Sequence, residues 1–246
     1  MPALFDGPGI RHWLTVTEES GTRYLLVDGD EEGAMSVASD DPVFHYLWFH
    51  RCSFILTDSP SRVLVLGAGA FTASKCLARD HPAALIDTID IEPALESLAI
   101  RFFRLGLPPF QRINFHGVCA ERFLKSAPPA YDFIFDDLFQ GLQHFPKLGH
   151  GREHVHRLAK QLKPQGLCVK NLIWNPSVAG NRAACEETVA AWRTAFSWHL
   201  QIKLGNSPNA QNRLLLGGNG ALKTWDHISL ILSEKLPEAV VGFCQV

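Results

Sequence analysis

A glycine turn and three carboxylates hold most of the chemistry legible in this chain. Gly67-Ala68-Gly69 follows the apolar run Val63 to Leu66, and Asp90 ends a second run about 20 residues on. Glycines let the backbone turn tightly and approach a ligand, and a carboxylate at that distance is placed to accept both hydroxyls of a ribose. Turn and acid together point to a nucleoside site. The turn alone does not, because a loop with two glycines is common punctuation between strand and helix. The other acids, Asp136 and Asp137, close a third apolar run, Tyr131 to Phe135. At the carboxyl end of a parallel strand an acid faces bound ligand, and the competing reading is a strand that runs out into a solvated loop.

These residues need strands and helices in strict alternation to bring them together. From Arg62 onward the pattern reads strand 62–67, helix 72–80, strand 84–90, helix 94–105, strand 112–117, helix 120–126, strand 131–137, helix 151–163, strand 166–173 and helix 179–196. That alternation predicts an α/β fold with a doubly wound, mostly parallel sheet. Trp198 to Leu204 and Arg213 to Leu216 then follow each other with no helix between them. Such a terminal hairpin suits a class I methyltransferase (Rossmann-like) sheet better than a dinucleotide dehydrogenase. Upstream, Trp13 to Glu18, Arg23 to Asp28 and Ala34 to Ala38 lie between Glu-Ser-Gly and Asp-Gly-Asp turn signals, as in a small antiparallel meander. It is read as a lid or a dimerisation element, which leaves a homodimer open. Val43 to Leu56 is expected as a helix capped by Asp41 with Pro42 in its first turn. With Asp58-Ser-Pro-Ser61 as linker, the chain divides into residues 1–57, meander plus helix, and 58–246, a nucleoside-binding catalytic domain.

Composition excludes several classes. A net charge of −2 with no long charged run gives no overall footprint for nucleic acid, so a small-molecule ligand is expected. No apolar run is long enough to span a bilayer and the first residues lack the pattern of a signal peptide, so no membrane contact and a cytoplasmic location are expected. The six cysteines form no C-x-x-C pair and are read as buried thiols.

At the level of motifs the chain resembles the spermidine synthases and spermidine synthase-like proteins, from about Tyr24 to Gly217. Leu25-Leu-Val-Asp-Gly29 is similar to the family's Leu-Asp-Gly, and Phe44 to His50 to its Tyr-His-Glu-Met-x-x-His helix. Gly67-Ala-Gly-Ala-Phe-Thr72 stands for Gly-Gly-Gly-Asp-Gly-Gly, and Tyr131 to Gly141 for Tyr-Asp-x-Ile-x-x-Asp-Ser-Ser-Asp-Pro. Leu162-Lys-Pro-Gln-Gly166 and Asn212-Arg-Leu-Leu-Leu216 complete the likeness. The resemblance implies S-adenosylmethionine or its decarboxylated form as co-substrate and a small amine as acceptor. It implies a nucleoside site of Gly67, Ala68, Gly69, Asp90, Ile91, Cys119 and Ala120, substrate contacts from His45, Tyr46, Asp136 and Gln140, and Asp137 as the catalytic acid.

Departures from that pattern are as informative. Ala70 replaces the acid that holds the donor's amine, Phe44 replaces a tyrosine, Tyr46 a glutamate, Gln140 the second acid of the catalytic pair, and Cys119 the acid that reads adenine. A sulfonium donor is already activated, so transfer needs alignment and exclusion of water but no metal. An amine acceptor has a free pKa near 10 and must lose a proton, which Asp137 is placed to accept. Loss of the acid at position 70 disfavours orthodox spermidine synthesis and leaves methyl transfer open. Two other classes compete: a nucleoside-binding or interaction module without turnover, and an NAD-dependent oxidoreductase, the latter weakened by Thr72 where a third glycine is usual. Trp48, Phe49 and Phe139 offer ring faces to a sulfonium, with core packing as their commoner role. His150, His154 and His156 are read as a solvated helix start with no complete metal-ligand set. Residues 138–151 are read as a gate over the pocket.

Overall fold

The computed structural model describes residues 3–56, 58–126, 131–139, 149–205, 211–221, 224–241 and 244–245. Four short strands open the chain as an antiparallel sheet in sequence order: β1 (Phe5–Pro8), β2 (Trp13–Glu19), β3 (Thr22–Val27) and β4 (Asp30–Ser36). Ser20-Gly21 and Asp28-Gly29 are two-residue hairpin loops with positive φ at both positions, the turn whose twist matches that of the flanking strands. Leu14, Val16, Leu25 and Met35 from this sheet are buried in one cluster with Val63 and Val65 of the central sheet, so the meander shares the core of the parallel strands.

Residues His45–Ile55 form a 3₁₀ helix capped at Phe44, where an α-helix from residue 43 with Asp41 as cap was expected. The buried side chains explain the difference. Leu47, His50 and Ser53 form one buried column, and Phe49, Cys52 and Ile55 a second. A three-residue repeat is stacked by three residues per turn and would be smeared by 3.6. Asp41 accepts a hydrogen bond from Arg79 at 3.0 Å, and Pro42 bridges Met35.

The central sheet has eight strands in the order β12-β10-β11-β9-β8-β5-β6-β7. Strands β5 (Arg62–Leu66), β6 (Leu85–Asp90), β7 (Ile113–Gly117), β8 (Tyr131–Asp136) and β9 (Leu162–Trp174) are mutually parallel. At one edge β11 (Gln211–Gly218) is inserted antiparallel between β9 and β10 (Trp198–Leu204), so β10 runs in the direction of the parallel strands, and β12 (Cys244–Gln245) pairs antiparallel outside β10. This is the α/β arrangement of the class I methyltransferase type. The crossover helices are α1 (Thr72–Asp80), α2 (Leu95–Phe102), α3 (Ala120–Ser126), α4 (Gly151–Gln161) and α5 (Asn181–Ala195). Strand order reverses between β5 and β8, so Leu66 and Asp136 are register partners and the residues after them face one crevice. Five elements were not foreseen: β1, a 3₁₀ turn (Phe110–Arg112), helix α6 (Trp225–Lys235), helix α7 (Glu238–Val241) and β12. Helix α6 is capped by Thr224 and tied back to the 3₁₀ helix through Arg51, which donates to the Lys235 carbonyl at 2.6 Å. Among the described residues no helix is long and apolar enough to cross a membrane.

Candidate functional site

A cavity of about 550 Å³ opens at the carboxyl ends of the parallel strands, roofed by β3, β4 and the start of the 3₁₀ helix. Gly67 to Ala70 follow β5, Asp90 to Glu92 follow β6, Cys119 to Glu121 follow β7, and Asp137 to Phe139 follow β8. Asn171 and Ile173 reach in from β9, Asn212 from β11, and Leu25, Val27, Glu31, Glu32, Phe44 and Tyr46 from above.

The first glycine of the turn is required twice over. Gly67 has φ +87, and a Cβ there would lie 2.4 Å from the Asp137 carbonyl oxygen. Phe71, which stands where the resembled motif has glycine, also has positive φ, at 58°, and is the N-cap of α1. Its backbone strain is offset by a ring that is 0 % exposed and packs against Phe115 at 5.3 Å. Asp90 fastens the turn to β6: one carboxylate oxygen accepts the Ala68 N–H at 2.8 Å and the other the Glu92 N–H at 3.0 Å. The Ile91 N–H bonds the same carboxylate, which retains acceptor capacity toward the cavity it lines. Burial raises the Asp90 pKa, and the backbone donors only partly offset it.

Glu92, which the motif reading did not single out, accepts the backbone N–H groups of Ile10, Arg11, His12 and Ala94. Burial opposes ionisation here too, but these amides win and hold the carboxyl below its usual value. One buried acid thereby pins residues 10–12 against the rim of the cavity. The signal was its place in Asp90-Ile-Glu92.

At the opposite wall Asp137 is held by two donors. Asn171 Nδ2 donates at 2.8 Å and the Tyr46 hydroxyl donates as well, while Asn212 Nδ2 donates to Asn171 Oδ1 at 2.9 Å and fixes its orientation. Burial lifts the Asp137 pKa to about 7; the hydrogen bonds from Asn171 and Tyr46 pull it down, and neighbouring Asp136 pushes it up. Burial and the adjacent Asp137 charge push the Tyr46 hydroxyl well above its ordinary value, so it stays a donor.

Three expectations need correction. Asp136, expected to touch substrate, is 0 % exposed and does not line the cavity. Adjacent residues of a strand point to opposite faces, and Asp136 turns under the sheet to accept from Lys170 at 2.9 Å and from His154 Nε2 at 2.7 Å. Burial raises its pKa, but Lys170 and His154 outweigh it and hold the carboxyl far below the usual range. His154 is therefore buried in an ion network and not at a solvated helix start; its Nδ1 meets Glu121 at 2.8 Å, and Arg157 pairs with Glu121 in turn. His45 is exposed and away from the cavity lining. Gln140 and most of the expected gate, residues 140–148, lie outside the described residues. Gly67, Ala68, Gly69, Asp90, Ile91, Cys119, Ala120, Tyr46 and Asp137 all line the cavity. Of the three aromatics, Phe139 lines it, Phe49 is buried in the core, and Trp48 lies under the Arg51 guanidinium at 4.8 Å.

No family model matches the chain. It is 25% identical over 176 residues to a polyamine aminopropyltransferase of Vibrio vulnificus, covering 70% of this chain and 55% of that protein. The chain thus spans about half the length of the curated relative it matches. Among solved structures it is similar to a probable spermidine synthase from Corynebacterium glutamicum, with a TM-score of 0.77 at 18% identity over 95% of this chain and 87% of that one. A spermidine synthase in complex with the transition-state analogue AdoDATO gives a TM-score of 0.73 at 12% identity, over 98% of this chain and 79% of that one. At these identities the structural likeness establishes the shared fold.

Proposed function

We propose that this protein transfers an aminopropyl group from decarboxylated S-adenosylmethionine to a small amine. The observation that carries the reading is the charge of the cavity wall. Six carboxylates line it, Glu31, Glu32, Asp90, Glu92, Glu121 and Asp137, and no lysine or arginine is among the described lining residues. A donor bearing a sulfonium and an ammonium, and an acceptor bearing ammonium groups, find counter-charges throughout. The carboxylate of intact S-adenosylmethionine would be buried against like charge without a partner, which weighs against methyl transfer. The likeness to the polyamine aminopropyltransferase of Vibrio vulnificus supports the same choice.

The fit of the nucleoside rests on the glycine turn, where backbone replaces side chain, and on the Asp90 carboxylate at the cavity wall. In the transfer step Asp137 takes one proton from the acceptor ammonium. The freed nitrogen lone pair forms a bond to the carbon beside sulfur as the carbon–sulfur bond breaks, and its electron pair neutralises the sulfonium. Methylthioadenosine leaves, and the new secondary amine keeps the positive charge. Tyr46 and Asn171 hold the Asp137 carboxylate in place. A base of pKa about 7 is half ionised near neutrality, which is where proton transfer is most effective.

The test is incubation with decarboxylated or intact S-adenosylmethionine and a set of diamines, polyamines and amino acids, followed by chromatography of the nucleoside product. Methylthioadenosine formed only with the decarboxylated donor and an amine supports the proposal. S-adenosylhomocysteine formed from the intact donor overturns it in favour of methyl transfer.

A further inference from the structure

We propose that Glu32 is the specificity residue that holds the ammonium end of the donor's alkyl arm, supplying from the roof of the cavity the charge that Ala70 does not carry. The inference rests on the adenosyl site proposed above.

Strand β4 lies directly on the glycine turn. A Cβ on Gly69 would sit 2.8 Å from the Glu32 carbonyl oxygen, and a Cβ on Gly33 would sit 2.5 Å from the Ala70 nitrogen. Both contacts require glycine, and together they bring Glu32 to the same end of the cavity as Ala70. Its side chain turns inward: Glu32 lines the cavity, and its charge acts on the Tyr46 hydroxyl that donates to Asp137. Glu32 therefore stands at the cavity wall beside the glycine turn, close enough for its charge to act on the tyrosine that holds the base.

Each of the other acids of the wall has a role or a place of its own. Asp90 and Glu92 accept backbone amides of the turn and the rim, Glu121 belongs to the His154 and Arg157 network, Asp137 faces the reacting nitrogen, and Glu31 is exposed. Ala70 is 2 % exposed and carries no charge. An ammonium drawn out of water at this point needs a carboxylate, and Glu32 is the one positioned for it.

The test compares wild type with Glu32→Gln, which keeps the backbone contact to Gly69 and the side-chain shape, by calorimetric titration with four ligands. Methylthioadenosine has no positive charge, 5′-dimethylsulfonio-adenosine has only the sulfonium, decarboxylated S-adenosylmethionine adds the ammonium, and S-adenosylmethionine adds a carboxylate. Glu32→Gln is expected to leave methylthioadenosine within twofold and to weaken the decarboxylated donor about tenfold to hundredfold, the usual effect of losing a charge-assisted hydrogen bond. Discrimination against the intact donor should shrink as repulsion of its carboxylate is relieved, and Glu32→Asp, which keeps the charge, should restore part of the loss. Equal weakening of the sulfonium analogue and the decarboxylated donor overturns the assignment, as does no weakening of either. Failure of the wild type to bind methylthioadenosine is a separate result, which removes the adenosyl site itself.

Discussion

Replacing Asp137 with asparagine should trade activity for stability, and both halves can be worked from one observation. The carboxyl is moved from 3.8 to about 7 by burial. A raised value means the folded protein binds this proton more tightly than the unfolded chain. Its stabilising contribution is complete below about pH 4 and is lost as pH rises through about 7, at a cost of up to about 4 kcal/mol above that. Asparagine has no proton to lose, so Asp137→Asn should match wild type near pH 4 and exceed it by as much as that at pH 8. The same change removes the base. General-base assistance is worth about 10²–10⁴-fold, and kcat/KM of the variant should fall by that factor and lose the rising limb near pH 7 that reports Asp137 in the free enzyme. Urea denaturation at pH 5 and 8, with kcat/KM measured across the same range, reads both effects. A variant within threefold of wild-type activity, or less stable than wild type at pH 8, would refute the role and the electrostatics together.

Asp90→Ala should weaken methylthioadenosine by about 1.5–3 kcal/mol, the cost of charged hydrogen bonds; an unchanged dissociation constant would remove Asp90 from the site. Lys170→Met leaves Asp136 buried without its cation and should cost about 3–5 kcal/mol in urea unfolding, part of it recovered when Asp136→Leu is added; a loss under about 1 kcal/mol would mean that His154 alone neutralises the acid. At Phe71 the usual order of small residues should invert. Phe71→Ala loses about 3–5 kcal/mol of packing and keeps the positive φ, whereas Phe71→Gly loses the same packing but relieves the backbone, so glycine should be the milder change by about 1 kcal/mol. Equal midpoints for the two variants would show that φ is not strained.

What the sequence made legible, and what it hid, divide along one physical line. Parallel strands buried on both faces read as continuous apolar runs, and two-residue Gly turns announce hairpins, so the central sheet, its crossovers and the meander could be read from local pattern. The 3₁₀ helix could not, because its three-residue columns exist only against α1 and the sheet. Nor could local pattern separate Asp136 from Asp137, since both end the same strand. The discriminating residue sat one strand away. Lys170 is the register partner of Asp136, in a stretch, Leu167 to Leu172, where every side chain is buried. A lysine there is intolerable without a carboxylate, and only the acid on its own face of the sheet can serve. Lys170 therefore claims Asp136, and the alternation of the strand leaves Asp137 to point into the cavity. Asn171 obeys the same logic on the other face: it is a polar residue in a buried strand that would be costly unless it met Asp137. An isolated charge or amide in an otherwise apolar parallel strand marks where a neighbouring strand end must carry its partner, and at this switch point those partners assign which acid is structural and which faces the ligand.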